Sequence, residues 1–128
     1  MIIESISKSY NENIKLCQPL NDEKHDFLPA DLLNILKVSN SIMETMVHPG
    51  TGELLNIGWI IYPIEKILES SEYYQKEYAV DGVVFSDDGA GNPLYIKRDG
   101  KVYLLNVIGR EEDCIADSLR DLFCKRNV

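Results

Sequence analysis

Arg98-Asp99-Gly100 stands between two β-like runs, residues 94–97 and 101–105. An Asp-Gly pair in that setting is the strongest short-range hairpin signal. The central turn residues need positive φ, which glycine adopts without steric cost. The chain must therefore reverse here and lay the two runs side by side. A third β-like stretch, 79–86, precedes them closely, with Val80, Val83, Val84 and Phe85 as its apolar members. Strands that follow one another at short spacing pair antiparallel. A fourth stretch, 54–62, is rich in Ile and holds the single Trp, and the cluster His48-Pro49-Gly50-Thr51-Gly52 is a turn before it.

Helical patterns surround these strands. Ile3, Ile6 and Tyr10 have helical spacing. Leu28-Pro29-Ala30-Asp31 opens a helix, because proline suits a first turn and the dipole favours an anion there. Leu32, Leu33, Ile35 and Leu36 turn that helix towards a core, and Ser39-Asn40-Ser41 ends it. Pro63 stops the strand before it and starts another helix, lined by Ile64, Ile67, Leu68 and Ser71. A last helix is expected over about 111–125, where Ile115, Leu119, Leu122 and Phe123 form one apolar stripe. The segment 11–26 is polar and is expected to loop over the surface. The expected class is α+β: a single domain, residues 1–128, with a mainly antiparallel sheet of about four to six strands and helices at both ends.

The composition narrows the function. The net charge is −8, from 21 acids against 13 bases. A nucleic-acid or anionic-membrane surface needs clustered Lys and Arg, so both are disfavoured, and a basic protein partner fits better. Three cysteines, Cys17, Cys114 and Cys124, with no C-x-x-C, indicate reduced thiols. The N-terminus lacks the apolar run of a signal peptide, and no apolar run is long enough to span a bilayer. A cytoplasmic protein is expected.

Asp87-Asp88-Gly89-Ala90-Gly91-Asn92 is the one segment that looks like a ligand loop. A phosphate cradle needs its glycines to lead into a helix, usually with a Lys. Here Pro93 and a strand follow, and paired carboxylates repel phosphate. An EF-hand loop needs acids at alternate positions and a distant Glu, which this segment lacks. A tight inter-strand connection uses Gly, Asn and Asp well. Other chemistry is thin. Cys17, Cys114, Cys124, His25 and His48 lack zinc spacing, and no nucleophile motif occurs. No cofactor, metal or catalytic residue is expected. An enzyme would need a constellation around Cys114, His25 or Asp87.

Two acidic stripes are expected on helices. Glu65, Glu69 and Glu72 fall at i, i+4 and i+7 after Pro63, with Tyr73 exposed beside them and Lys76 partly neutralising them. Asp113, Asp117 and Asp121 fall at i, i+4 and i+8 on the last helix. Like charges so spaced weaken an isolated helix by a few tenths of a kcal/mol per pair, a cost that partner binding would justify. A solvated face is the plainer reading. Tyr73 amid carboxylates is a candidate hot spot.

An ordered set of short motifs resembles the SUKH superfamily, the Smi/Knr-type domains. Leu28-Pro29-Ala30-Asp31-Leu32 looks like its L-P-x-D helix start, with Asn40 at the Asn of a following N-G and Ser41 in place of the glycine. Tyr62-Pro63-Ile64-Glu65-Lys66-Ile67 looks like its strand-to-helix segment. Phe85 with Asp88-Gly89-Ala90-Gly91-Asn92 looks like its F-x-x-D-G-x-G-[DN] connection. Gly100-Lys101-Val102-Tyr103 is similar to its G-x-V-Y strand, and Ala116-Asp117-Ser118-Leu119 to its A-D-S helix. These motifs span 28–124, and 21–26 depart from the acidic helix that often precedes L-P. The resemblance implies a non-catalytic protein-binding fold with the glycine segment in the scaffold. It implies, in bacteria, an immunity protein that neutralises a cognate toxin, often a nuclease, by direct binding. The alternative it offers is a regulatory interaction module of the Smi/Knr type.

Overall fold

The structure, a computed structural model, describes residues 2–10, 13–16 and 28–124. In chain order it contains α1 (Ile2–Ser9), β1 (Ile14–Leu16), α2 (Ala30–Val38), β2 (Ile42–Val47), β3 (Leu54–Ile61), α3 (Ile64–Tyr78), β4 (Val83–Asp87), β5 (Pro93–Ile96), β6 (Val102–Asn106), β7 (Glu111–Ala116) and α4 (Leu119–Cys124). The strands form two antiparallel sheets, ordered β1-β2-β3 and β4-β5-β6-β7. The class is α+β, with helices near both ends of the chain. The Tyr62 N–H donates to the Phe85 carbonyl at 2.8 Å and joins the end of one sheet to the other.

The Arg98-Asp99-Gly100 reversal is a hairpin, but not a two-residue one. The Gly100 N–H donates to the Lys97 carbonyl at 2.9 Å, and the Lys97 N–H donates to the Lys101 carbonyl at 3.2 Å. Only Gly100 has positive φ, +82°. The connection is therefore three residues long, with the left-handed glycine placed after the tight turn. Asp99 reinforces it by accepting from the Lys101 N–H and the Tyr103 hydroxyl, both at 2.9 Å.

The end of the chain departs from expectation. Residues 111–116 are strand β7, and only Leu119–Cys124 is helical. β6 has an open edge, and β7 fills it with Glu112 opposite Leu105 and Cys114 opposite Tyr103. The helical spacing of Ile115 and Leu119 crosses the junction between a strand and a helix, so it is coincidental. Ile115 is accordingly exposed. α4 starts where Ser118 caps it, its Oγ accepting the Asp121 N–H at 3.0 Å. Three further differences are smaller. β1 lies inside the expected 11–26 loop, whose residues 17–26 are outside the described residues. β2 carries no clean alternation, because register shifts interrupt its pairing with β3. Ala79 is the left-handed C-cap of α3 at φ +55° rather than the start of a strand.

The core runs through both sheets. Ile6, Leu32, Leu36, Ile42, Ile61, Ile67, Val84, Phe85, Tyr95, Val102 and Leu119 are fully or almost fully buried. Burying one such apolar side chain contributes about 1.5–3 kcal/mol. Leu68, expected on the inner face of α3, is exposed. Ser71 is placed as expected, and its Oγ accepts the Val84 N–H at 2.9 Å, fastening α3 to β4.

The N-terminus of α3 needs a cap from elsewhere. Its N-cap residue is Pro63, which has no side-chain acceptor. Asn40, between α2 and β2, supplies one: its Oδ1 accepts the Ile64 N–H at 2.9 Å. Ser41 follows at φ +142°, a backbone region that suits glycine, and it is buried. Adjacent substitutions should therefore move stability in opposite directions. Asn40→Ala should cost about 1 kcal/mol through the lost cap. Ser41→Gly should add about 1 kcal/mol by relieving strain, net of glycine's greater unfolded-state freedom. Urea unfolding of both variants measures this. Two losses, or two neutral results, would contradict the capping account.

Candidate partner-binding surface

The polar side chains of the 87–92 loop are bonded to the protein itself. The Asp87 carboxylate accepts the Tyr62 hydroxyl at 2.5 Å and the Gly89 N–H at 2.7 Å. Asp88 accepts the Ala90 and Asn92 N–H groups at 2.8 and 3.1 Å and the Asn92 side-chain amide at 2.9 Å. Asn92 then accepts the Val107 N–H through Oδ1 at 3.0 Å, tying this loop to the next hairpin. Gly89 and Gly91 lie at φ +85° and +89°, so the tight path needs them. Burial pushes the Tyr62 hydroxyl far above its usual range, and the Asp87 hydrogen bond adds to it. For Asp88, desolvation works upward, but the Asn92 side chain and the backbone donors together hold it below the usual carboxylate range. No group of three or more potential metal ligands occurs among the described residues.

The α3 stripe is coherent. Glu65, Glu69 and Glu72 are all exposed on the helix. Tyr73 is 52 % exposed and packs edge-on against Tyr74 at 5.0 Å between ring centroids. Tyr74 lies 5.6 Å from Tyr78, whose ring carries Arg110 at 4.7 Å. Arg110 also donates to the Glu77 carbonyl at 3.2 Å. The C-terminal end of α3 thus meets the 107–110 turn through Tyr78 and Arg110, on the side of the helix away from the Glu row. Tyr74, Tyr78 and Arg110 are not singled out by the sequence. The clue was Asn106 with Gly109, a turn signature hidden once 111–125 is taken as helix.

The second stripe does not exist as a helical row. Asp113 is on β7, Asp117 lies in the bend after it, and Asp121 is on α4. The strand at 111–116 separates them, because two-residue periodicity replaces the helical one. Of the residues named for the enzyme alternative, the described ones, Cys114 and Asp87, do not converge. Cys114 is exposed on β7, three strands across the sheet from β4, which carries Asp87. His48 accepts the Gly50 and Thr51 N–H groups within its own turn. His25, Cys17 and the Cys124 side chain lie outside the described residues. The outer end of the β2–β3 hairpin exposes Met46, Val47, Leu54 and Ile57, with exposed Glu53 in the turn between the strands.

A model described as the SMI1 / KNR4 family (SUKH-1) matches residues 23–125. The chain belongs to the SMI1/KNR4 family. No curated protein and no solved structure matches it significantly. In this SMI1/KNR4 domain the motif positions have structural employment. Leu28 is buried, Pro29 and Pro63 precede their helices, Asn40 and Ser118 cap, Asp88 closes the 87–92 loop, and Gly89, Gly91 and Gly100 take positive φ. No described helix is long and apolar enough to cross a membrane.

A polar cluster on the β4–β7 sheet of the SMI1/KNR4 domain gives a pH prediction. Buried Tyr95 donates its hydroxyl to Glu112 at 2.7 Å, and Lys97 forms an ion pair with the same carboxylate. Desolvation alone would raise the Glu112 pKa, but these two donors hold it below its ordinary value. Asp99 is also depressed, by the Lys101 backbone N–H and then the Tyr103 hydroxyl, and Tyr103 is pushed up to about 12. Carboxylates depressed in the folded state contribute stability above their unfolded pKa and lose it as pH falls through the folded value. Asp88, Asp99 and Glu112 share that sign, so thermal stability should fall on acidification below about pH 4. Asp88→Asn should lower stability at pH 7 and flatten this acid limb. An unchanged limb in melts from pH 7 to pH 2.5 would refute the assignment.

Proposed function

We propose that this SUKH-1 domain acts by binding a protein, and that the partner is a cognate toxin domain with a basic surface. The reading treats residues 1–128 as one domain and the protein as a cytoplasmic, stoichiometric inhibitor without turnover. The observation that carries it is the α3 face. Glu65, Glu69 and Glu72 stand exposed in one row beside half-exposed Tyr73. Meanwhile the glycine-containing loop, which resembles a ligand loop in sequence, has its Asp87, Asp88 and Asn92 side chains bonded within the protein. The net charge of −8 adds a long-range field that speeds encounter with a basic protein. Family resemblance supports the same choice, since bacterial members resemble toxin-neutralising immunity proteins. The acidic charge also argues against nucleic acid or an anionic membrane as the working partner.

The test is co-expression with the toxin domain encoded nearest to the gene, scoring survival and recovering the complex. Rescue with a one-to-one complex is expected. Reversing Glu65, Glu69 and Glu72 to Lys should weaken the complex about tenfold or more through lost charge complementarity. The same change should alter folding stability by less than about 0.5 kcal/mol per site, because the positions are exposed. Unchanged affinity would remove α3 from the interface. A well-folded protein that neither rescues nor binds would favour the regulatory module of the Smi/Knr type.

A further inference from the structure

The turn at 107–110 has a property that the α3 stripe does not share. It carries Ile108, which is 95 % exposed, the most exposed large apolar side chain on the described surface. An isolated exposed Ile on a loose loop means little. This one is mounted on a turn fixed from three sides. The Val107 N–H donates to Asn92 at 3.0 Å, and the Ile108 and Gly109 N–H groups donate to Asn106 at 3.2 and 3.3 Å. Arg110 lies over the Tyr78 ring and donates to the Glu77 carbonyl. Arg110 also holds φ +53°, a conformation that a non-glycine residue keeps only when its surroundings impose it. The backbone is thus held rigid while its central side chain touches almost nothing of its own protein.

We infer that Ile108 is a preformed knob that inserts into a concave apolar site on the partner, with the 107–110 turn as its mount. This rests on the toxin-binding reading and names the anchor that α3 alone does not supply. A pre-ordered turn loses little conformational freedom on binding, which favours tight association. The surroundings specify the rim of the receiving site. The Glu111 side chain lies against Gly109, where a Cβ would meet it at 3.7 Å, and Glu77 is exposed on α3 beside Arg110. Glu111 at the tip, with Arg110 engaged by the Tyr78 ring and the Glu77 carbonyl, fits a pocket with an apolar floor and a basic edge facing Glu111. A basic nucleic-acid-cleaving or nucleic-acid-binding cleft has such an edge. A second copy of this chain is disfavoured as the occupant, because its own charge is −8.

The experiment titrates the full-length protein against the toxin domain encoded nearest to its gene, by calorimetry, for wild type and three variants. Ile108→Asp should bind at least about 30-fold more weakly, the size of a hot-spot loss, with an unchanged melting temperature. Ile108→Leu should keep most of the affinity. Arg110→Gly should keep a melting temperature close to wild type, glycine's acceptance of the positive φ offsetting the lost Tyr78 and Glu77 contacts, yet bind about two- to tenfold more weakly because the mount is loosened. Wild-type binding with Ile108→Asp equally tight overturns the knob and leaves the toxin-binding reading standing. No wild-type binding overturns both. Self-association of the wild type that Ile108→Asp abolishes, seen by sedimentation, would also overturn it in favour of a second copy.

Discussion

The fold depends on one tyrosine. Tyr62 leaves β3, donates its backbone N–H to Phe85 on β4, and donates its side-chain hydroxyl to Asp87 at the end of the same strand. Tyr62 thus ties the two sheets together by one backbone and one side-chain bond, beside the Ser86 hydroxyl donated to the Trp59 carbonyl. A buried tyrosine hydroxyl needs a partner, and the partner here is a carboxylate whose other oxygen is held by the Gly89 N–H. α3 begins two residues later and is capped by Asn40 from the other side. The direction in which α3 presents its acids is set by these contacts, before any partner arrives.

The same logic explains why a segment that looks like a ligand loop is not free to be one. Asp87, Asp88 and Asn92 pass hydrogen bonds from the sheet junction to Val107, so the loop braces the turn that follows β6. Chemistry-bearing residue types are recruited for geometry: Asp and Asn accept backbone N–H groups, and the glycines supply positive φ. Among the groups left exposed are the row of acids on α3, Tyr73 beside it and the tip at Ile108. That division, with polar groups spent inside and charge and apolar tips outside, suits a binding module.

Much of this was legible in the sequence where short-range rules decide. The Asp-Gly reversal, the helix after Pro63 and the helix after Pro29 follow from turn chemistry and proline, and the α3 acids follow from helical spacing. The glycine loop was also legible as a connection. The segment 111–116 was not, because Ile115 and Leu119 mimic a helical period while the open edge of β6 decides the strand there. Non-local pairing overrides local pattern there, as it does for β1 and β2. The tyrosine–Arg110 contact was hidden for the same reason. It joins residues 32 apart, Tyr78 and Arg110, and depends on a hairpin that local spacing conceals.

The central claim is that the surface running from α3 to the 107–110 turn meets the partner while the rest of the molecule serves as its frame. Amide hydrogen exchange tests it most directly, comparing the free protein with its complex with the toxin domain encoded nearest to its gene. The account predicts added protection in α3 and across 106–111, with β2 and β3 unchanged. Protection confined to the apolar end of the β2–β3 hairpin, with α3 and 106–111 exchanging as in the free protein, would contradict it.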